Sequence, residues 1–222
     1  MTRIKICGIT NAADALAACE YGADAIGFVF APSTRQILPD AAREIIRAIP
    51  PFIKTVGIFV DEPADRVREI ARFCKLDAVQ LHGNESPAYV AGLGVPAIKS
   101  FRVRDWSIID RIRQLKLTWF LLDTYVPDKA GGSGRPFDWT IAAGAARLGQ
   151  MILAGGLTVE NVTAALAAVR PYAVDVSSGV EFAPGKKDHD KIQQFIHEVR
   201  TWDYRTKEAT LESSADGLFR KR

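Results

Sequence analysis

Apolar residues fall along this chain in short runs separated by amphipathic stretches, and the two alternate eight times. The runs cover Arg3 to Cys7, Ala25 to Phe30, Thr55 to Val60, Asp77 to Leu81, Ala97 to Val103, Trp119 to Leu122, Met151 to Ala154 and Ala173 to Val176. They are apolar along their length rather than alternating, which is the pattern of parallel strands buried on both faces. The stretches between them read as helices. The first follows the N-cap pair Thr10-Asn11. The second opens at Pro39-Asp40, runs through Ile46 and is closed by Pro50-Pro51. Others run from Asp61-Glu62-Pro63 to Phe73, briefly to Leu93, from Trp106 to Leu115, from Phe137 to Leu148, from Val159 to Val169 behind a Thr158 cap, and from about Asp188 to Trp202.

Eight such units in about 200 residues predict a single closed (β/α)8 TIM barrel over residues 1–203. The alternative is an open doubly wound sheet, but the chain has no GxGxxG or P-loop to mark one. Beyond about Tyr204 the sequence turns polar, which predicts a mobile C-terminal tail over 204–222.

In a barrel, polar residues at the C-terminal ends of the strands converge on one mouth, where barrel enzymes work. Cys7, Arg35, His82, Asp123, Gly155-Gly156, Asp175 and Ser177-Ser178-Gly179 fall there. Cys7 ends the first strand and faces a helix start, with Lys5 two residues earlier on the same face. Positive helix ends and Lys5 favour the thiolate, making Cys7 a base or nucleophile; alternatively it is a small buried apolar residue. Asp123 is an acid if desolvation keeps its proton, or else a cap. Arg35 suits a carboxylate bidentately, or else is a surface cation. His82 and Asp175 are candidate substrate contacts, although His82 could simply bond backbone. Gly155, Gly156, Ser177, Ser178 and Gly179 make a phosphate site of backbone N–H groups at helix starts, or else only tight turns. An acid and a base facing each other across a phosphate-binding mouth suit proton transfers on a phosphosugar. The Gly131-Gly132-Ser133-Gly134 loop is a candidate lid.

Composition narrows the partners. The chain has 222 residues with 29 Lys and Arg against 26 Asp and Glu, a net charge of +3 too small to argue for nucleic acid. No apolar run is long enough to cross a bilayer and no signal peptide precedes the first strand. Three cysteines without disulfide or zinc spacing fit a reducing cytoplasm, and the three histidines form no metal cluster. Nothing in the pattern separates a monomer from a homodimer.

Several motifs then carry a resemblance. They are Lys5-Ile6-Cys7-Gly8-Ile9-Thr10, Gly22 through Phe30, Val79-Gln80-Leu81-His82-Gly83, Leu122-Asp123-Thr124 with Gly131 through Gly134, Ala154-Gly155-Gly156-Leu157, and Val174 through Glu181 with Pro184-Gly185-Lys186-Lys187-Asp188. As an ordered set reaching to about Trp202, they resemble the phosphoribosylanthranilate isomerases of tryptophan biosynthesis. The second loop departs from the family's Ser-Pro-Arg type and reads Pro32-Ser33-Thr34-Arg35. The resemblance implies an Amadori rearrangement of N-(5-phosphoribosyl)anthranilate without cofactor. It implies Asp123 as general acid on the ring oxygen and Cys7 as general base on the C2′ proton. Arg35 would hold the anthranilate carboxylate, and the seventh and eighth loops the phosphate. A histidine-pathway isomerase is expected to carry aspartate where Cys7 stands, and a non-catalytic phospholigand barrel has no need of Cys7 and Asp123 together.

Overall fold

Eight parallel strands close into a ring. In this computed structural model, which describes residues 1–115, 117–124 and 139–219, they are β1 (Arg3–Cys7), β2 (Ala25–Val29), β3 (Lys54–Phe59), β4 (Ala78–Leu81), β5 (Ala97–Val103), β6 (Trp119–Thr124), β7 (Gln150–Leu153) and β8 (Ala173–Val176). They pair in sequence order, and β8 pairs back onto β1 with Lys5 opposite Asp175. The helices are α1 (Ala12–Glu20), α2 (Pro39–Ala48), α3 (Ala64–Cys74), α4 (Pro87–Gly92), α5 (Ser107–Leu115), α6 (Trp139–Ala145), α7 (Val162–Val169) and α8 (His189–Phe219). The expected TIM barrel is the fold observed.

Strand parity sorts the side chains. Ile4 and Ile6, Phe120 and Leu122, and Val174 and Val176 face the helices and join one continuous core. The residues between them point into the barrel, as a period of two requires. Its floor is apolar, with Leu121, Ile152, Ala154 and Ala173 packed together. At the mouth the inward positions turn polar: Lys5, Gln80, Asp123 and Asp175 are all buried there. The strands therefore do alternate, but only where the mouth interrupts an apolar interior.

Local signals hold at the helix starts. Asn11 caps α1, its side chain accepting from Asp14 N, and Pro39 sits in the first turn of α2. Thr158 does not cap the seventh helix. Its N–H donates to Asn161 Oδ1, Asn161 is the N-cap, and α7 starts at Val162. After β8 the chain makes a 3-10 turn, Ser178–Val180, and then a small hairpin of β9 (Glu181–Ala183) and β10 (Lys186–Lys187). Pro184-Gly185 makes its turn, with Gly185 at φ 76°, a Pro-Gly turn signal of the usual kind.

The last helix does not stop near Trp202 but continues to Phe219. Polarity alone does not end a helix, and Lys207, Glu208, Ala209, Leu211 and Glu212 are good helix formers with no proline among them. At its base α8 is tied to the chain start. Asp203 accepts from Thr2 N (2.7 Å) and Thr2 Oγ1 (2.8 Å), and Arg200 donates to Thr2 O (2.7 Å) and Asp24 (2.8 Å). The Gly131–Gly134 segment, expected as a lid, lies outside the described residues.

Candidate active site

One cavity, partly open to solvent, occupies the C-terminal mouth. Cys7, Arg35, His82, Asp123, Gly155, Gly156, Asp175, Ser177 and Ser178 all line it. Gly179 does not. A Cβ there would meet Leu157 O at 1.9 Å, so this glycine lets the loops after β7 and β8 touch rather than facing a ligand.

Cys7 and Lys5 lie on one face of β1, and Gly27 opposite Cys7 makes room for both. A Cβ at Gly27 would meet Cys7 Sγ at 2.9 Å and Lys5 Cε at 3.1 Å. Lys5 Nζ donates to Asp175 Oδ2 at 2.8 Å, with both side chains buried. Asp175 Oδ1 is buried and has no hydrogen-bond partner among the described residues. In a cavity wall, such an acceptor is a place for a ligand O–H or N–H. Thiolate character at Cys7 is not favoured overall, contrary to the expectation from Lys5 and helix ends. Burial pushes the thiol up, and Asp175 adds to it, against the opposing pull of Lys5 and Lys187. Desolvation outweighs the nearby charges here.

Gln80 on β4 and His82 just beyond it bring their Nε2 atoms 2.5 Å apart. Burial, with Lys5, Lys99 and Arg102 nearby, pushes the imidazole down to about 3. His82 is therefore neutral, with the Gln80 amide against its Nε2. The loop carrying it is fixed from below. Lys99 Nζ donates to Leu81 O, Gly83 O and Glu85 Oε2, while Glu85 Oε1 accepts from Asp61 N and Gly83 N.

Arg35 reaches the mouth from the loop after β2. Its Nε and Nη2 donate to Glu181 Oε1 and Oε2 at 2.8 and 2.7 Å, a bidentate pair. Lys187 Nζ donates to the same carboxylate at 2.8 Å and to Ser177 O at 3.1 Å. Although burial pushes Glu181 up, Arg35 and Lys187 hold it below the usual carboxylate range. On the far side, Gly155 and Gly156 take φ of 84° and 69°, which glycine adopts without strain. Asn161 Nδ2 donates to Gly156 O at 2.8 Å and so fixes the turn from the start of α7. The expected helix starts immediately behind the glycine pairs are absent. α7 begins six residues after Gly156, and a 3-10 turn follows Ser177.

Gln80 and Arg102 line the cavity but escaped the sequence reading. Their signal was parity, since each is the polar residue at an inward position near a strand's C-terminal end. Glu181 and Lys187 were readable only as motif members, because their hairpin brings them to the mouth.

The arrangement is that of a known family. Residues 4–198 match the family model described as N-(5'phosphoribosyl)anthranilate (PRA) isomerase. The chain belongs to this family. The N-(5'-phosphoribosyl)anthranilate isomerase of Pelobacter propionicus is 53% identical over 197 residues, 88% of this chain and 94% of that protein. The crystal structure of phosphoribosyl anthranilate isomerase from Thermotoga maritima superposes with a TM-score of 0.86 at 43% identity, covering 90% of this chain and all (100%) of that one. A crystal structure of phosphoribosyl anthranilate isomerase in complex with reduced 1-(o-carboxyphenylamino)-1-deoxyribulose 5-phosphate gives a TM-score of 0.82 at 42% identity, covering 90% of this chain and 100% of that one. Among the described residues no helix is long and apolar enough to cross a membrane, and no group of three or more His, Cys, Asp or Glu is placed to hold a metal ion.

Proposed function

We infer that this chain catalyses the Amadori rearrangement of N-(5-phosphoribosyl)anthranilate to 1-(2-carboxyphenylamino)-1-deoxyribulose 5-phosphate, a step of tryptophan biosynthesis, in the cytoplasm and as a monomer or homodimer. The observation that carries this reading is the shared cavity. Cys7 on β1 and Asp123 on β6 face inward into one space, with the β7 and β8 loops along its wall.

The chemistry needs one proton given and one taken. Asp123 donates to the ring oxygen while the substrate nitrogen's lone pair expels it, breaking the C1′–O bond and leaving an iminium. Cys7 removes the C2′ proton, and that electron pair flows into the iminium to give an enolamine. Tautomerisation puts a proton on C1′ and leaves the ketone at C2′. The substrate's nitrogen is the electron sink, so no cofactor takes part. Burial makes the Cys7 thiolate scarcer but a stronger base. Lys5 and Lys187 stabilise that thiolate through the field they set up at Sγ. Arg35 takes the anthranilate carboxylate on its free edge. The Gly155, Gly156, Ser177 and Ser178 backbone takes the phosphate. Asp175 Oδ1 accepts from a substrate hydroxyl, and His82 offers a neutral imidazole to the same space.

The experiment is a fluorescence assay following substrate loss, on wild type, Cys7→Ser, Asp123→Asn and Arg35→Ala, with product binding measured alongside. The first two variants should lose at least the ~10²-fold in turnover typical of a missing acid or base, with product affinity nearly unchanged. Arg35→Ala should mainly weaken binding. Near wild-type turnover in Cys7→Ser would make Cys7 a structural thiol and remove the mechanism.

A further inference from the structure

Arg35 is held in a way that binding a carboxylate does not by itself require. Its aliphatic stem crosses Gly8, where a Cβ would meet Arg35 Cδ at 2.6 Å. Gly8 sits at φ 77°, so a side chain there is disfavoured twice over. The guanidinium then lies against Glu181, with Nε and Nη2 both engaged. Nη1 makes no hydrogen bond to a described residue, so the bidentate pair leaves one edge of the fork for a ligand.

A carboxylate at that place has a cost. It neutralises the arginine that meets an anionic substrate. Lys187 offsets this, because its Nζ is fully buried (0% exposed) and donates to Glu181 Oε1 at 2.8 Å. Two cations around one carboxylate leave the group net positive. Glu181 and Lys187 sit on the hairpin of β9 and β10, which is pinned to the β1 loop by Thr10 Oγ1 donating to Gly185 O at 2.5 Å. Gly185 lies close under the second loop, where a Cβ would meet Thr34 O at 3.0 Å.

We propose that Glu181 is the positioning residue for Arg35, fixing its guanidinium with one edge turned to the carboxylate of the substrate's aromatic half, and that Lys187 restores the positive charge Glu181 cancels. The proposal rests on the reading of Arg35 as the carboxylate binder. Its gain is entropic: an arginine already held in its bound rotamer loses less freedom when the ligand arrives.

The test compares Arg35→Ala, Glu181→Gln, the double variant Glu181→Gln/Lys187→Met, and Arg35→Ala/Glu181→Gln. Steady-state kinetics give KM and kcat, and titrations with inorganic phosphate and with product report the two halves of the site. The paired Glu181→Gln/Lys187→Met change removes the fully buried Lys187 charge together with its carboxylate partner, so it keeps a folded protein in the comparison. Expected is a rise in KM of about tenfold for Glu181→Gln, with kcat changed less than threefold and phosphate affinity unchanged; Glu181→Gln/Lys187→Met should share the rise in KM but lose more kcat, because Lys187 also acts on the Cys7 thiolate. Arg35→Ala/Glu181→Gln should be no worse than Arg35→Ala alone, because a positioning residue has nothing left to position. Multiplicative losses in that double variant, or a parallel loss of phosphate affinity in Glu181→Gln, would overturn the proposal. So would a wild-type KM in both Glu181 variants while Arg35→Ala raises it. A wild-type KM in Arg35→Ala itself would instead overturn the underlying assignment of Arg35.

Discussion

Acidification should destabilise this protein through His82 specifically. The imidazole is wedged against Gln80 and faces Lys5, Lys99 and Arg102, and burial among those cations pushes it down from 6.5 to about 3. The folded state therefore binds this proton less readily than the unfolded chain. Stability owed to neutral His82 is complete above pH 6.5 and is lost as pH falls toward 3. Within that window linkage takes about 1.4 kcal/mol per pH unit. Between pH 7.5 and pH 5.0 the loss is roughly 2 kcal/mol, a ceiling because cavity water screens part of the charge. The assay is urea unfolding of wild type and His82→Gln at both pH values. Other groups titrate in both proteins, so the difference of differences isolates His82. Wild type should lose roughly 1–2 kcal/mol more than the variant. An equal loss in both, or imidazole NMR signals titrating near 6.5, would refute the argument.

Three further outcomes follow from the same geometry. Because burial raises the Cys7 thiol above its ordinary value of 9.0, kcat/KM should keep climbing as pH rises from 7 to 9; a plateau reached by pH 7 would mean the thiolate is already formed. Gly27→Ala should press on Cys7 Sγ and Lys5 Cε, lowering turnover tenfold or more at a stability cost of about 1–3 kcal/mol; unchanged kinetics would show that both side chains yield without consequence. Gly179→Ala puts a Cβ 1.9 Å from Leu157 O, a backbone atom that cannot swing aside, so the β7 and β8 loops should part, with a stability loss of about 1–3 kcal/mol and weaker binding of inorganic phosphate in titration.

The barrel was legible because its signal is repeated. Each βα unit could be misjudged by a few residues, as at β6 or α7, without changing the ring. The mouth was legible for residues that end strands, such as Cys7, Asp123 and Asp175. Gln80 and Arg102 were passed over because inward parity, not chemistry, identifies them. Glu181 and Lys187 depend on a hairpin folding back after β8, a long-range event that local pattern does not encode. The state of Cys7 was misread for a similar reason. The neighbours that favour its thiolate are visible in sequence, while the burial that opposes them is a property of the closed barrel. The end of α8 was misplaced because polarity was taken for lack of structure.

The bonds that tie Thr2 to Asp203 and Arg200 have a consequence for synthesis on the ribosome. β1 leaves the exit tunnel first but needs β8, made on the order of 170 residues later, to cover its second edge. At cellular elongation speeds that interval is about ten to thirty seconds. During it Arg3–Cys7 is an edge strand with unpaired backbone groups and an uncovered Ile4 and Ile6, the kind of segment that invites pairing with another chain. Nascent-chain holdases should therefore engage the amino-terminal half and let go only when residues near Asp203 emerge. Once the ring is shut, Thr2 and Asp203 lie side by side, so a chain cut after Asp203, joined there by a short linker and reopened between α3 and β4 should close the same barrel from a different starting strand.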